Sequence, residues 1–417
     1  MQGLGSDALV QLASLPLLGI AMAALFSRPI APQARLPLGL AASPIILVLV
    51  HLIPLPPALW TQLPGREFVV EAFELAVVPL GWMPISLDPG ATWRAFLSLL
   101  PPLALFLAVL CIGFDGRRIL SLILVAFGLA SVVLGLFQLM QGPESALRFH
   151  AITNPGSSVG FFANRNHYAA LLYCALPFAA AWTIVLASDR ARGLGAVGCG
   201  LALAALLLGL AMAFSRAGIV LGLSALLLSV FLLYGADSRR LRLIAAFAIG
   251  IAALIAAMAI FQRALPGILG WFESAVIDEY RLNILAITLT AAMDFLPVGS
   301  GFGTFPAIYL MHDRPDALLT AYVNHAHNDW VELWLEGGWP FGLAAGGFVL
   351  WFTKAARADW AGGPLTRLDR ALRRAGAIAV FLVLVHSLVD YPLRTVSLLG
   401  LFAYCCALQV PPCRRGQ

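Results

Sequence analysis

The chain has 417 residues, of which 61% are hydrophobic and only 11% charged, with a mean hydropathy of +0.89. Soluble domains are roughly half apolar and a quarter charged, so composition excludes a soluble globular protein and points to an all-α, polytopic membrane protein. The net charge of +5 is not a nucleic-acid footprint, because the basic residues are scattered over short loops and form no patch interleaved with aromatics.

The N-terminal Met1-Gln-Gly-Leu-Gly-Ser-Asp7 carries no basic residue ahead of the first apolar run, which argues against a cleaved signal peptide and leaves the first span in place. A span needs about 20 predominantly apolar residues. Eleven stretches qualify in chain order: 7–26, 37–58, 95–113, 119–140, 167–187, 195–213, 217–234, 243–262, 339–353, 375–389 and 395–410. Alternate connections between them hold 17 of the 26 Lys and Arg but only 5 of the 21 Asp and Glu. The excess of positive charge marks that side as cytoplasmic, so the N-terminus is expected outside and the C-terminus inside. Two outward segments are long enough to hold structure, 59–94 and 263–338, within one membrane domain spanning 1–417. The six cysteines lie in spans or in the tail, where packing is the plain reading and no disulfide framework is implied.

The first polar group of note opens the fifth span: Asn164, Arg165, Asn166 and His167. Asparagine caps helices, which accounts for part of the group but not for the cation and imidazole beside it, and a substrate-binding role is the alternative. Further on, the 39 residues of 196–234 are largely apolar and carry one charged side chain, Arg216 of Ser215-Arg216. At about 1.5 Å per residue one helix of that length is nearly twice the roughly 30 Å hydrocarbon core, so the chain must turn near Arg216. A guanidinium at the bilayer centre costs about 2.5–3.5 kcal/mol, which places Arg216 at the outer boundary, either snorkelling or anchoring an anionic head group.

In the long outward segment, Arg281 is followed by Pro297-Val-Gly-Ser-Gly-Phe-Gly-Thr304, so the segment reads as helix, glycine turn, helix. The turn, with Gly301 and Gly303, either presents N–H groups to a phosphate or is a flexible connection. Tyr322-Val-Asn-His-Ala-His-Asn-Asp-Trp-Val-Glu-Leu-Trp-Leu-Glu-Gly-Gly338 is the densest polar cluster in the chain. His325 and His327 beside Asp329 could ligate zinc, though no third ligand is evident; an imidazole serving as general base suits its ordinary pKa near 6.5, with Asn328 beside it. If 328–336 is helical, Asp329, Glu332 and Glu336 share one face, and the helix is expected to lie at the membrane surface. Lastly, Asp390 and Arg394 sit between the final two spans, where they pair with each other or join a site. All these groups map to the outer side, and the convergence of cations and an imidazole there suggests a phosphate-bearing, lipid-anchored substrate.

Asn164-Arg-Asn-His-Tyr-Ala169, Ser215-Arg-Ala-Gly218, Arg281 with Pro297-x-Gly-x-Gly-x-Gly-Thr304, Ala326-His-Asn328 running into Glu336-Gly-Gly338, and His386-Ser-Leu-Val-Asp390 together resemble the O-antigen ligase and polymerase superfamily. The resemblance covers 165–395. It departs from the family at Leu285, where members often carry tryptophan four residues after the arginine. The resemblance implies transfer of a glycan from undecaprenyl pyrophosphate at the periplasmic face of a bacterial inner membrane, with inversion and without metal or cofactor. Arg216 and Arg281 resemble the arginines that hold the pyrophosphate, and His327 the histidine that activates the acceptor hydroxyl. The expected function is that of a glycosyltransferase like an O-antigen ligase, with a lipid A core sugar as acceptor. The alternatives are a polymerase with a carrier-linked glycan as acceptor and, from another class, a transporter of a small anion. A transporter places its ionisable residues near the bilayer midplane, whereas here they gather at one boundary.

Overall fold

The computed structural model describes residues 4–27, 30–187, 193–234, 269–313, 322–360 and 365–412. The structure is 75% helical, with nearly no sheet. The first helices are α1 (Leu4–Phe26), α2 (Pro32–His51), α3 (Pro57–Trp60), α4 (Glu67–Leu75), α5 (Pro89–Cys111) and α6 (Phe114–Gln141). Then come α7 (Arg165–Ala187), α8 (Gly193–Met212), α9 (Arg216–Tyr234), α10 (Leu269–Asp294) and α11 (Phe305–His312). The kinked α12 (Asp329–Trp360), α13 (Arg367–His386) and α14 (Val396–Leu408) complete the set. The one sheet among the described residues is a two-residue antiparallel pair, β1 (Pro54–Leu55) with β2 (Met83–Pro84).

Within the described residues, five helical stretches are long and apolar enough to cross a membrane: Asp7–Phe26, Pro32–His51, Pro89–Cys111, Phe114–Gln141 and Leu194–Met212. With the helical content and near absence of sheet, this makes the chain a multi-pass, all-α membrane protein. Helices α7, α9, α13, α14 and the second part of α12 coincide with further apolar stretches of the sequence, and the stretch 243–262 lies outside the described residues.

Helix α7 is the centre of the bundle. It packs on α8, α9 and α13, and every residue from His167 to Ala181 is buried. Its many alanines let backbones approach closely, as small residues do in lipid; a Cβ on Gly218 of α9 would meet the Cβ of Ala169 at 2.5 Å. A second set, α1, α2 and α5, joins the bundle through α5 on α14 and α2 on α12.

The end of the bundle that carries the basic loops is tied by ion pairs. Arg118 grips Asp369 at 2.9 and 2.7 Å, and Arg373 meets Asp359 at 2.7 Å. Arg117 donates to the carbonyl of Val410 at 2.7 Å. Three of the few acids on that side, Asp115, Asp359 and Asp369, are therefore partners of its arginines.

At the opposite end, segment 59–94 folds as α3, α4 and the β pair against the glycine turn. Arg66 is buried and donates to the carbonyls of Ile85 and Gly299, with its guanidinium over the Phe295 ring. Leu87 N–H reaches Ser300 O at 2.9 Å, and the Thr92 hydroxyl reaches Phe302 O at 2.7 Å. The segment 269–312 is helix, glycine turn and helix, as its sequence suggests.

Candidate functional site

The first part of the site forms where α7, the α8–α9 turn and the α13–α14 connection meet. Asn164 caps α7 by accepting from Asn166 N–H at 2.8 Å. Ser215, just ahead of α9, caps that helix by accepting from Gly218 N–H at 3.0 Å, and its own hydroxyl donates to Asn166 Oδ1 at 2.7 Å. The Asn166 amide then donates to Asp390 Oδ2. One chain of hydrogen bonds thus runs from the residue before Arg216, through Asn166, to Asp390. Arg216 stands exposed at the first position of α9, at the turn that its charge requires.

Asp390 is the hub. It is buried, and Oδ1 lies 3.4 Å from His327 Nδ1 and accepts from Tyr391 N–H at 3.0 Å, while Oδ2 lies 3.9 Å from His386 Nε2. Burial alone would raise its pKa, but the hydrogen bond from His327 and the charges of His386, His167 and His327 hold it well below the usual carboxylate range. His327 adopts a left-handed backbone, φ 52°, a conformation uncommon for a residue with a side chain and frequent at functional sites.

Tyr391 is the floor under the imidazoles. Its ring lies 4.3 Å from His325, 5.1 Å from His327 and 5.0 Å from His167, centroid to centroid. Asn164 and Asn324 hydrogen-bond its side chain, and burial, then Asp390, raise its pKa. The charge of Arg281, on α10, is felt at both Tyr391 and His386, which puts this cation within electrostatic reach of the group. Opposite the polar floor, Tyr173 Oη lies 2.9 Å from His386 Nδ1.

The second part is a buried ion cluster on the N-terminal turns of α12. Asp329, Glu332 and Glu336 do share one face, but that face is buried and closes on Arg394, at 3.6, 3.2 and 2.9 Å. The expectation of a helix lying on the membrane surface is corrected: three carboxylates so placed need a buried cation, not water. Arg394, expected to bind substrate or pair with Asp390, is occupied by these acids, whose charges outweigh its burial and raise its pKa. Glu332 also accepts from Ala326 N–H at 2.8 Å and meets His325 Nδ1 at 2.9 Å. Burial would raise its pKa, yet Arg394 and His325 bring it below the ordinary value. Asp329 goes the other way, pushed up to about 7 because burial outweighs Arg394.

His325 and His327 turn to different carboxylates, Glu332 and Asp390, and so do not converge as a ligand pair. Asn328 is a helix cap: its carbonyl oxygen accepts from Val331 N–H at 3.1 Å and its amide donates to Leu388 O at 2.9 Å. The glycine turn does not offer its N–H groups to a phosphate. Gly301 N–H is spent on Glu336 O at 3.0 Å and Gly303 N–H on the Glu336 carboxylate at 2.9 Å, so the chain's own acid fills that cradle. Arg165 stays at the start of α7, its N–H capped by Asn154 at 2.9 Å and its guanidinium 3.4 Å from the Ser157 hydroxyl. His167 is buried, with Nδ1 3.0 Å from the Thr395 hydroxyl. The roles of Ser215, Asn324, Tyr391 and Glu336 were not read from the sequence. Only Ser215, three residues before a glycine at a helix start, carried a local signal.

The carboxylate that meets the His327 imidazole is thus tied by hydrogen bonds to Ser215, next to Arg216, and lies beside Tyr391 and His386, on which the charge of Arg281 acts. Residues 201–346 match a family model described as O-Antigen ligase. This region belongs to the O-antigen ligase family. The ligase region contributes Arg216, Arg281, the glycine turn and His327, while Asn166, Asp390 and Arg394 lie beyond the match. The match points to a membrane enzyme of the O-antigen ligase and polymerase type, a family that implies lipid-linked glycan substrates. A comparison of the whole chain with curated proteins gives no match.

Proposed function

We propose that this protein transfers a glycan from undecaprenyl pyrophosphate to a hydroxyl acceptor at the periplasmic face of a bacterial inner membrane, as an O-antigen ligase with a lipid A core sugar as acceptor. The observation that carries the reading is the His327–Asp390 contact, tied through Asn166 and Ser215 to the Arg216 turn. With Nδ1 directed at Asp390, Nε2 is the nitrogen left to take a proton from the acceptor hydroxyl, and the anion stabilises the imidazolium that results. General base catalysis of this kind contributes about 10²- to 10⁴-fold. As the anomeric C–O bond breaks, the electron pair leaves with the pyrophosphate, whose growing charge is met by Arg216 and Arg281, with bidentate hydrogen bonds where geometry allows. Attack by the acceptor oxygen opposite the departing pyrophosphate inverts the anomeric carbon. The donor is already activated, so no further energy source enters.

The test is glycan analysis of a deletion strain complemented with Arg216→Ala, Arg281→Ala or His327→Ala. Loss of long chains from lipopolysaccharide with carrier-linked polymer retained supports the ligase. Accumulation of single carrier-linked repeats moves the assignment to the polymerase, and full restoration by all three variants removes the reading.

A further inference from the structure

Segment 59–94 carries a feature that the transfer reaction does not use. Residues 74–82, Glu-Leu-Ala-Val-Val-Pro-Leu-Gly-Trp, are exposed without interruption, and from Leu75 to Leu87 there is no charged side chain. Val77 is 90% exposed, Leu75 78% and Trp82 68%. The segment is nevertheless built, not loose. Trp60 is buried and donates its indole N–H to Gly81 O at 2.9 Å, Phe73 packs on the Trp60 ring, and β2 ties Met83 to Leu55. Val77 itself takes a left-handed backbone, φ 55°, a strained choice for a β-branched residue.

We infer that this finger inserts into the lipid leaflet on the side of the candidate site, with Leu75, Val77, Val78, Leu80 and Trp82 as its buried tip. Contiguous exposed apolar surface on this scale marks a protein or membrane contact, and three observations choose lipid. First, the finger's base is held at the membrane: Met83 pairs with Leu55, four residues after the end of α2, and Trp82 is seven residues before the start of α5. Second, the exposed apolar side of α2, with Ile46, Leu49 and Val50, continues beyond the helix through Ile53 and Leu59 to the finger's base. Third, α4 separates its faces: Glu67, Glu71 and Glu74 are exposed at helical spacing while Phe73 turns inward, the division of an interfacial helix. Tryptophan at the tip's edge suits the head-group level. Because Arg66 and Leu87 bond the same segment to Gly299 and Ser300, the anchor sets the height of the glycine turn in the membrane. This holds whatever reaction the site performs.

The test places an NBD fluorophore on Val77→Cys in the full-length chain with its other cysteines changed to serine, reconstituted in phosphatidylethanolamine and phosphatidylglycerol nanodiscs. The expected result is blue-shifted emission, quenched several-fold more by lipids spin-labelled high on the acyl chain than by aqueous iodide. A label on Glu71→Cys is expected to show the opposite order. Water-like emission at Val77 with iodide quenching overturns the proposal. So does shielding without lipid quenching, accompanied by cross-linking between copies, which would make the finger a protein contact. Should the cysteine-free chain not fold, benzoylphenylalanine at Val77 in the otherwise unaltered chain gives the same decision in membranes: a lipid adduct supports insertion, and a protein adduct or none overturns it.

Discussion

Glu336 and Arg394 meet at 2.9 Å, and the other oxygen of the same carboxylate accepts from Gly303 N–H at 2.9 Å. One side chain thus joins the glycine turn, the start of α12 and the α13–α14 connection. Removing one partner of a buried ion cluster leaves uncompensated charge and costs about 3–5 kcal/mol. Arg394→Ala, which strands Asp329, Glu332 and Glu336, is expected to abolish recovery of monodisperse protein in detergent. Arg394→Lys keeps the charge but loses the planar fork, and is expected to be recovered with a lower Tm. Normal recovery and melting of Arg394→Ala would show that the cluster does not hold the site together.

His327 is held differently, by one contact to Asp390 and by ring packing on Tyr391. His327→Ala is expected to melt within a few degrees of wild type while transfer in a reconstituted assay falls by about 10²- to 10⁴-fold. Asp390→Asn retains the shape but no longer fixes the imidazole tautomer, and replacement of such an aspartate can cost up to about 10⁴-fold in rate. A double variant no slower than the worse single one is the signature of two residues acting as a unit; multiplied losses would separate them.

The outline of this site was legible in the sequence because charge is so costly in lipid that few polar residues persist there. Arg216 had to mark a turn, and the structure puts a helix end at that residue. His327, Asp390 and Asn166 were all singled out, and the structure brings them together. Partner choice was not legible. Asp329, Glu332 and Glu336 lie on one helix face in either environment, and only the position of Arg394, some 60 residues on, decides that the face is buried. The glycine turn misled for a similar reason: its N–H groups suit any anion, and a carboxylate of the chain is the one supplied.

The close approach of the glycine turn to the α12 kink leads to a further expectation. Gly338, at φ 55°, has Pro297 O and the backbone of Val298 and Gly299 where a Cβ would stand. Gly338→Ala is expected to destabilise the protein strongly, since both the left-handed backbone and the backbone neighbours resist it. Gly346, eight residues along the same helix, meets nothing within 4 Å. Gly346→Ala is expected to match or slightly exceed wild type, because alanine is the better helix former. Thermal melts of the two variants side by side check this, and equal melting temperatures would contradict the packing of turn on kink.

Asp329 supplies a pH dependence whose sign follows from its environment. Burial, only partly offset by Arg394, raises its pKa from 3.8 to about 7. The folded state then holds a proton that the unfolded chain releases, so this group's contribution is fully present below its unfolded pKa and is lost as pH rises through its folded one. Asp390, held low by the imidazoles around it, works in the opposite sense and loses its contribution only in acid. Asp329→Asn replaces the protonated form with a neutral group of similar shape that can still accept from Leu393 N–H and the Ser387 hydroxyl, now at 3.1 and 2.9 Å. Between pH 4 and 7 the wild-type Tm is therefore expected to decline relative to that of Asp329→Asn, with the gap levelling off above the folded pKa. Melting curves of the two proteins in the same detergent across that range decide it. Parallel curves would mean that Asp329 is ionised throughout and that Arg394 outweighs its burial.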